Sequence, residues 1–127
     1  MTEITGKITS FTKLIAWQES HKLVIMIYKL TKLFPKEELF SLTNQIQRAA
    51  VSISSNIAEG FGRNSAKEKI RFYDIAHGSL VEVQNQSLIA RDIGYLNSTD
   101  FTTLADQSIL CQKLICGLIR SIKKTNP

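Results

Sequence analysis

Three interruptions constrain what this chain can fold into: Phe34-Pro35, Gly60-Phe61-Gly62 and Gly94. Between them lie stretches several helical turns long whose apolar residues recur at helical spacing, and no segment shows the strict alternation of a half-buried strand. A residue before proline is pushed out of the α region, so Phe34-Pro35 stops the first helix. The pattern predicts helices over about 13–33, 36–60, 65–93 and 99–123. Short links force consecutive helices to run antiparallel. The expected fold is therefore all-α: an antiparallel up-down-up-down four-helix bundle in a single domain, 1–127.

Local chemistry supports these boundaries. Glu37 and Glu38 fall in the first turn of the second helix, where negative charge complements the helix dipole, and Leu39, Leu42, Ile46, Ala49, Ile53 and Ile57 form its apolar stripe. Ser65-Ala66-Lys67-Glu68 matches a capping box, which starts the third helix. That helix carries Phe72, Ile75, Ala76, Leu80 and Val83 as its apolar run, and Gly94 is expected to end it in the left-handed conformation. Asn97-Ser98-Thr99-Asp100 offers the cap for the fourth. Gly60 and Gly62 are expected to supply positive φ at a helix end. They are not a phosphate loop, because no strand precedes them and no G-x-x-x-x-G-K-[ST] is present.

The 127 residues, 43% hydrophobic and 21% charged, can bury a core without disulfides or a metal. The longest apolar run, Leu23 to Tyr28, is too short to span a bilayer, and the first residues lack the pattern of an export signal. A cytoplasmic protein is expected, with no membrane association. The N-x-[ST] matches at Asn85 and Asn97 then carry no meaning for glycosylation, and Cys111 and Cys116 are expected as buried, reduced thiols.

A polar line runs beside the apolar stripe of the second helix: Arg48, Ser52, Ser55, Asn56 and Glu59. Ser79, Glu82 and Gln86 form a matching line on the third. Folding about Gly62 brings the two together. An Arg48–Glu82 pair supported by Ser52, Asn56 and Ser79 is expected, as a network that fixes helix register. The competing possibility is acid–base or metal chemistry by Glu59 and Glu82. Di-iron bundles, however, repeat an E-x-x-H spacing, and Asp74-Ile75-Ala76-His77 is the one comparable stretch. His21, with Glu19 and Lys22 for neighbours, is expected in solvent. No catalytic set, metal site or cofactor is expected.

Charge is distributed unevenly along the bundle. The end that holds the N-terminus, the second turn and the C-terminus collects nine bases: Lys7, Lys13, Arg63, Lys67, Lys69, Arg71, Arg120, Lys123 and Lys124. Against them stand three acids, Glu3, Glu59 and Glu68. The opposite end is slightly acidic. With a net charge of +5, this polarity suits counterion release from a polyanion. Lys123 and Lys124 also oppose the dipole of the fourth helix, whereas Arg63, Lys67, Lys69 and Arg71 gather where a helix begins and positive charge is unfavourable. That cluster is the first choice for phosphate contact, and Phe61 beside it is the candidate for base stacking.

The segments "FTKLIAWQESHKLVIMIYKLTKLFP", "QIQRAAVSISSNIAEGFGR" and "YDIAHGSLVEVQNQSLIARDIGYL" occur in the order seen in a known family. The chain resembles the bacterial four helix bundle family, also called the 23S rRNA intervening sequence protein family. The resemblance covers nearly all of Phe11 to Ile122 and rests on Arg48-Ala49-Ala50, Ser52-Ile53, Asn56-Ile57-Ala58-Glu59-Gly60 and Gly78-Ser79-xx-Glu82. It implies a bundle that assembles as a ring, most often a homopentamer, without known catalytic activity. A related branch, accessory to diversity-generating retroelements, binds nucleic acid and a reverse transcriptase. Members commonly carry proline where this chain has Ser54 and leucine where it has Val83, so a kink in the second helix is not expected here. The function expected is association with structured RNA through the basic end. The alternative is a protein-interaction scaffold serving a partner such as a reverse transcriptase.

Overall fold

The computed structural model describes residues 8 and 10–126. Four α-helices carry the fold: α1 (Ile15–Thr31), α2 (Leu42–Phe61), α3 (Ala66–Asp92) and α4 (Ser98–Thr125). Single 3₁₀ turns, Phe11–Lys13 and Lys36–Glu38, precede α1 and α2. Among the described residues there is no strand. Helices pack around a closed square, α1 on α2, α2 on α3, α3 on α4 and α4 back on α1, which is the antiparallel up-down-up-down bundle.

Each helix buries one stripe. Leu23, Ile27, Ile46, Ile53, Ile57, Leu80, Val83, Leu104 and Ile115 are almost completely enclosed. Full burial of such a side chain stabilises by about 1.5–3 kcal/mol. The stripe of α3 is made of smaller and more polar residues: Ala76, Ser79, Gln86, Ser87 and Ala90 accompany Tyr73, Leu80 and Val83. Small side chains let α3 pack closely against its neighbours.

The helix ends show where local sequence was sufficient. Ser65 Oγ accepts from Glu68 N–H at 3.1 Å, and Asn97 Oδ1 accepts from Asp100 N–H at 2.7 Å. Gly94 has φ +89°. Its N–H donates to Arg91 O, and Tyr95 N–H donates to Ala90 O at 2.8 Å, the two bonds of a Schellman motif.

Several expectations need correction. The second α-helix begins at Leu42 rather than Lys36, and Leu39 is exposed rather than part of its apolar stripe. Glu38 serves that helix from outside it: its Oε1 accepts from Leu42 N–H at 3.3 Å and from Ser41 Oγ at 2.6 Å, and its Oε2 accepts from Tyr95 Oη at 2.9 Å. The first helix ends at Thr31, and Leu33 and Phe34 donate back to Leu30 and Thr31 in a tightened turn ahead of Pro35. On α3 the buried aromatic is Tyr73; Ile75 faces solvent and Phe72 is half-buried. Neither Gly60 nor Gly62 has positive φ. Gly60 lies inside α2 and is buried, and a Cβ there would stand 2.7 Å from Tyr73 Cε1. Close approach between helices, not backbone handedness, requires glycine at this position.

Candidate nucleic-acid interface

The bundle topology gathers the 3₁₀ turn before α1, the α2–α3 turn and the C-terminus of α4 at one end. Lys13, Arg63, Lys67, Lys69, Arg71, Arg120, Lys123 and Lys124 therefore share that end; Lys7 and Glu3 lie outside the described residues. The last turns of α4 stay on the bundle because Leu118, Ile119 and Ile122 pack against the core, leaving Arg120, Lys123 and Lys124 exposed.

The four cationic residues around the α2–α3 turn have distinct surroundings. Arg63 pairs with Glu59 at 2.9 Å, and its guanidinium carbon lies 4.5 Å from the Phe72 ring centre. Arg71 approaches Glu68 at 3.6 Å and lies over the same ring at 5.3 Å. Such cation–π contacts hold the flat guanidinium groups in place while leaving N–H groups at the surface. Lys69 Nζ donates to Phe61 O at 2.6 Å, and the ammonium stands 5.4 Å from the Phe61 ring centre. It closes the C-terminus of α2, where the free carbonyls attract a cation. Positive charge at the start of α3 is thus matched by the end of α2 beside it. Lys67 is exposed and has no acidic partner among the described residues.

Sequence reasoning chose Phe61 as the aromatic of interest and missed Phe72. Phe61 is 38% exposed, while Phe72 is the ring on which both arginines rest. Phe72 and Arg71 are adjacent in the sequence, but Arg63 reaches the ring only because the chain reverses at Gly62. A concavity of about 590 Å³ opens next to this cluster, lined by Phe11, Ser55, Ala58, Glu59, Gly62 and Arg63.

Three residues of the polar stripe meet at the α2–α3 seam. Ser79 Oγ donates to Ser52 Oγ at 2.8 Å across the α2–α3 seam, and Asn56 Nδ2 donates to the same oxygen at 3.0 Å. Glu59 does not join them, being drawn to Arg63. Among the described residues no ion pair within 4.0 Å links Arg48 to Glu82, although both line a groove of about 380 Å³ between α2 and α3. Glu59 and Glu82 line separate concavities and form no carboxylate pair. No group of three or more His, Cys, Asp or Glu side chains converges among the described residues. His21 stacks on Trp17 at 4.8 Å with its ring in solvent, and His77 meets Gln112 Nε2 at 3.2 Å.

Between α1 and α4, Gln107 Nε2 donates to the backbone and carboxylate of Glu19, and this hydrogen bond, with that of Lys22, holds the Glu19 carboxyl below the usual range. Cys111, fully enclosed nearby, has its thiol pushed up to about 11 by burial.

The architecture defines the class: a small all-α four-helix bundle with one strongly basic end. Within that class the chain belongs to the 23S rRNA-intervening sequence protein family, whose sequence pattern matches residues 12–117. The fold is similar to the crystal structure of a protein with unknown function from the S23 ribosomal protein family of Bacteroides thetaiotaomicron. The TM-score is 0.78 at 22% identity, over 84% of this chain and 96% of that one. At that identity the likeness establishes the fold. No curated protein matches the chain. Among the described residues no helix is long and apolar enough to cross a membrane.

Proposed function

We propose that this protein is a non-enzymatic, oligomeric RNA-associated protein that binds structured RNA in the cytoplasm through its basic end. The observation that carries the reading is the charge balance there: eight described bases stand against two acids, Glu59 and Glu68. Those acids are already opposite Arg63 and Arg71, so Lys13, Lys67, Arg120, Lys123 and Lys124 face solvent as surplus charge. The family name, which refers to intervening sequences of 23S rRNA, agrees with an RNA partner. Free thiols at Cys111 and Cys116 suit a reducing compartment. Large apolar side chains exposed on α3 and α4, among them Ile75, Val81, Leu88, Ile89, Ile109 and Leu110, support self-association, with the homopentamer that the family resemblance implies as the expected ring.

The test is binding of a labelled structured RNA across a salt series. Each phosphate contact steepens the fall of log K with log salt by roughly 0.7–0.9. Changing Lys67, Lys123 and Lys124 to Glu, with Lys69 kept because it closes α2, is expected to weaken binding and flatten that slope. Absence of binding at low salt would overturn the reading.

A second reading, a scaffold for a protein partner such as a reverse transcriptase, draws on a different observation. Leu33, Leu39 and Phe40 are 74%, 53% and 89% exposed around the α1–α2 link, at the end opposite the basic one. A partner that binds the wild type but not Phe40→Ser would favour it.

A further inference from the structure

The groove between α2 and α3 is separate from the basic end, and its two charged groups stand on opposite walls. Its α2 wall carries the cation. The Arg48 guanidinium has no acid within 4.0 Å among the described residues. Ser52 Oγ already accepts from Ser79 and Asn56, which leaves its own proton to be donated elsewhere. The α3 wall carries the carboxylate, beside Ser79, whose hydroxyl proton already goes to Ser52. Glu82 has no cation within 4.0 Å among the described residues, and Gln86, only 7% exposed, has an Oε1 that no donor reaches. A buried acceptor without a donor is unfavourable in the native state and is satisfied in most proteins.

A cation on one wall and a carboxylate on the other exclude simple occupants. A phosphate or other pure anion meets the Glu82 carboxylate, and a pure cation meets Arg48. A metal ion finds a single carboxylate and no other strong ligand in the groove. An apolar molecule strips water from both charged groups and returns nothing. The geometry points to a small zwitterion of the α-amino-acid class, lying across the groove with its carboxylate on Arg48 and Ser52 and its ammonium on Glu82. The volume of about 380 Å³ admits the side chain as well, which extends toward the amides of Asn44 and Gln45.

The experiment is calorimetric titration of the purified full chain with the common amino acids, followed by the amide (no carboxylate) and N-acetyl (no ammonium) derivatives of whichever binds. Both derivatives are expected to lose more than about tenfold in affinity, because each leaves charged groups of the site unpaired. Arg48→Gln is expected to abolish discrimination against the amide, and Glu82→Gln discrimination against the N-acetyl form. Both residues are exposed, and a thermal melt verifies that the variants fold. No binding by any amino acid at about 10 mM overturns the proposal, since that limit already lies beyond a useful affinity. Equal binding of a blocked derivative overturns it too. Loss of self-association in Arg48→Gln, without amino-acid binding to the wild type, would assign the groove to a second copy and overturn it as well.

Discussion

Gly60 and Tyr73 are in direct contact across the α2–α3 seam: a Cβ on Gly60 would stand 2.7 Å from Tyr73 Cε1, 2.9 Å from Cδ1 and 3.0 Å from Phe72 Cβ. The Tyr73 ring is 2% exposed, so it has little room to retreat. Gly60→Ala gains helix propensity of up to about 1 kcal/mol. Overpacking in a dense interior costs about 1–3 kcal/mol and, against a fixed ring, is expected to win. Urea unfolding should show net destabilisation. In a Tyr73→Leu background the same change should become neutral or favourable, which a double-mutant cycle measures directly.

Gly78 provides the control. It lies within α3, and nothing stands within 4 Å of a Cβ added to it. Gly78→Ala should raise the free energy of unfolding by about 0.5–1 kcal/mol, through propensity and a less flexible unfolded chain. Destabilisation by this substitution would mean that the exposed face of α3 is closely covered by another chain.

Neighbouring lysines should separate. Lys69 donates to the last carbonyls of α2, so Lys69→Ala is expected to lower stability by about 1–2 kcal/mol. Lys67 makes no such contact, and Lys67→Ala should stay within about 0.5 kcal/mol. RNA affinity measured on the same two variants then distinguishes loss of a phosphate contact from loss of structure.

The Glu38–Tyr95 hydrogen bond predicts a plateau in stability against pH. Donation by Ser41, then Tyr95 and Leu42 N–H, holds the Glu38 carboxyl below its ordinary 4.5. Its contribution is therefore complete above that value and is lost as pH falls through the folded pKa. Hydrogen bonding to Glu38, with burial, raises the Tyr95 phenol above its ordinary 10.0. That contribution is complete below 10.0 and is lost as pH rises through the folded pKa. Tyr95→Phe should shrink both limbs in thermal melts across pH, and the alkaline limb that remains belongs to Cys111 and Tyr73, whose pKa values burial raises.

The two thiols should react unequally. Cys111 is fully enclosed with its thiol at about 11, whereas Cys116 is half-buried. At about pH 8 a thiol reagent should modify Cys116 first and Cys111 only after unfolding in urea. Rapid modification of both in the native protein would contradict the packing of α4 against α1.

The sequence by itself determined the number, order and direction of the helices and most of their caps, because these depend on neighbours a few residues apart. Ser65, Gly94 and Asn97 act as their local patterns require. Leu39 misled because its spacing matched the stripe while Glu38, fastened by Tyr95 from the α3–α4 link, set the start of α2. Only the tertiary structure decided which aromatic of Phe72-Tyr73 is buried, that Gly60 yields space to it, that Lys69 closes α2, and that Arg48 and Glu82 face one groove without pairing. Each of these relations joins two helices across a seam. Helical periodicity reports which side of one helix is apolar, but the distance between groups on two helices is set by how their side chains interlock.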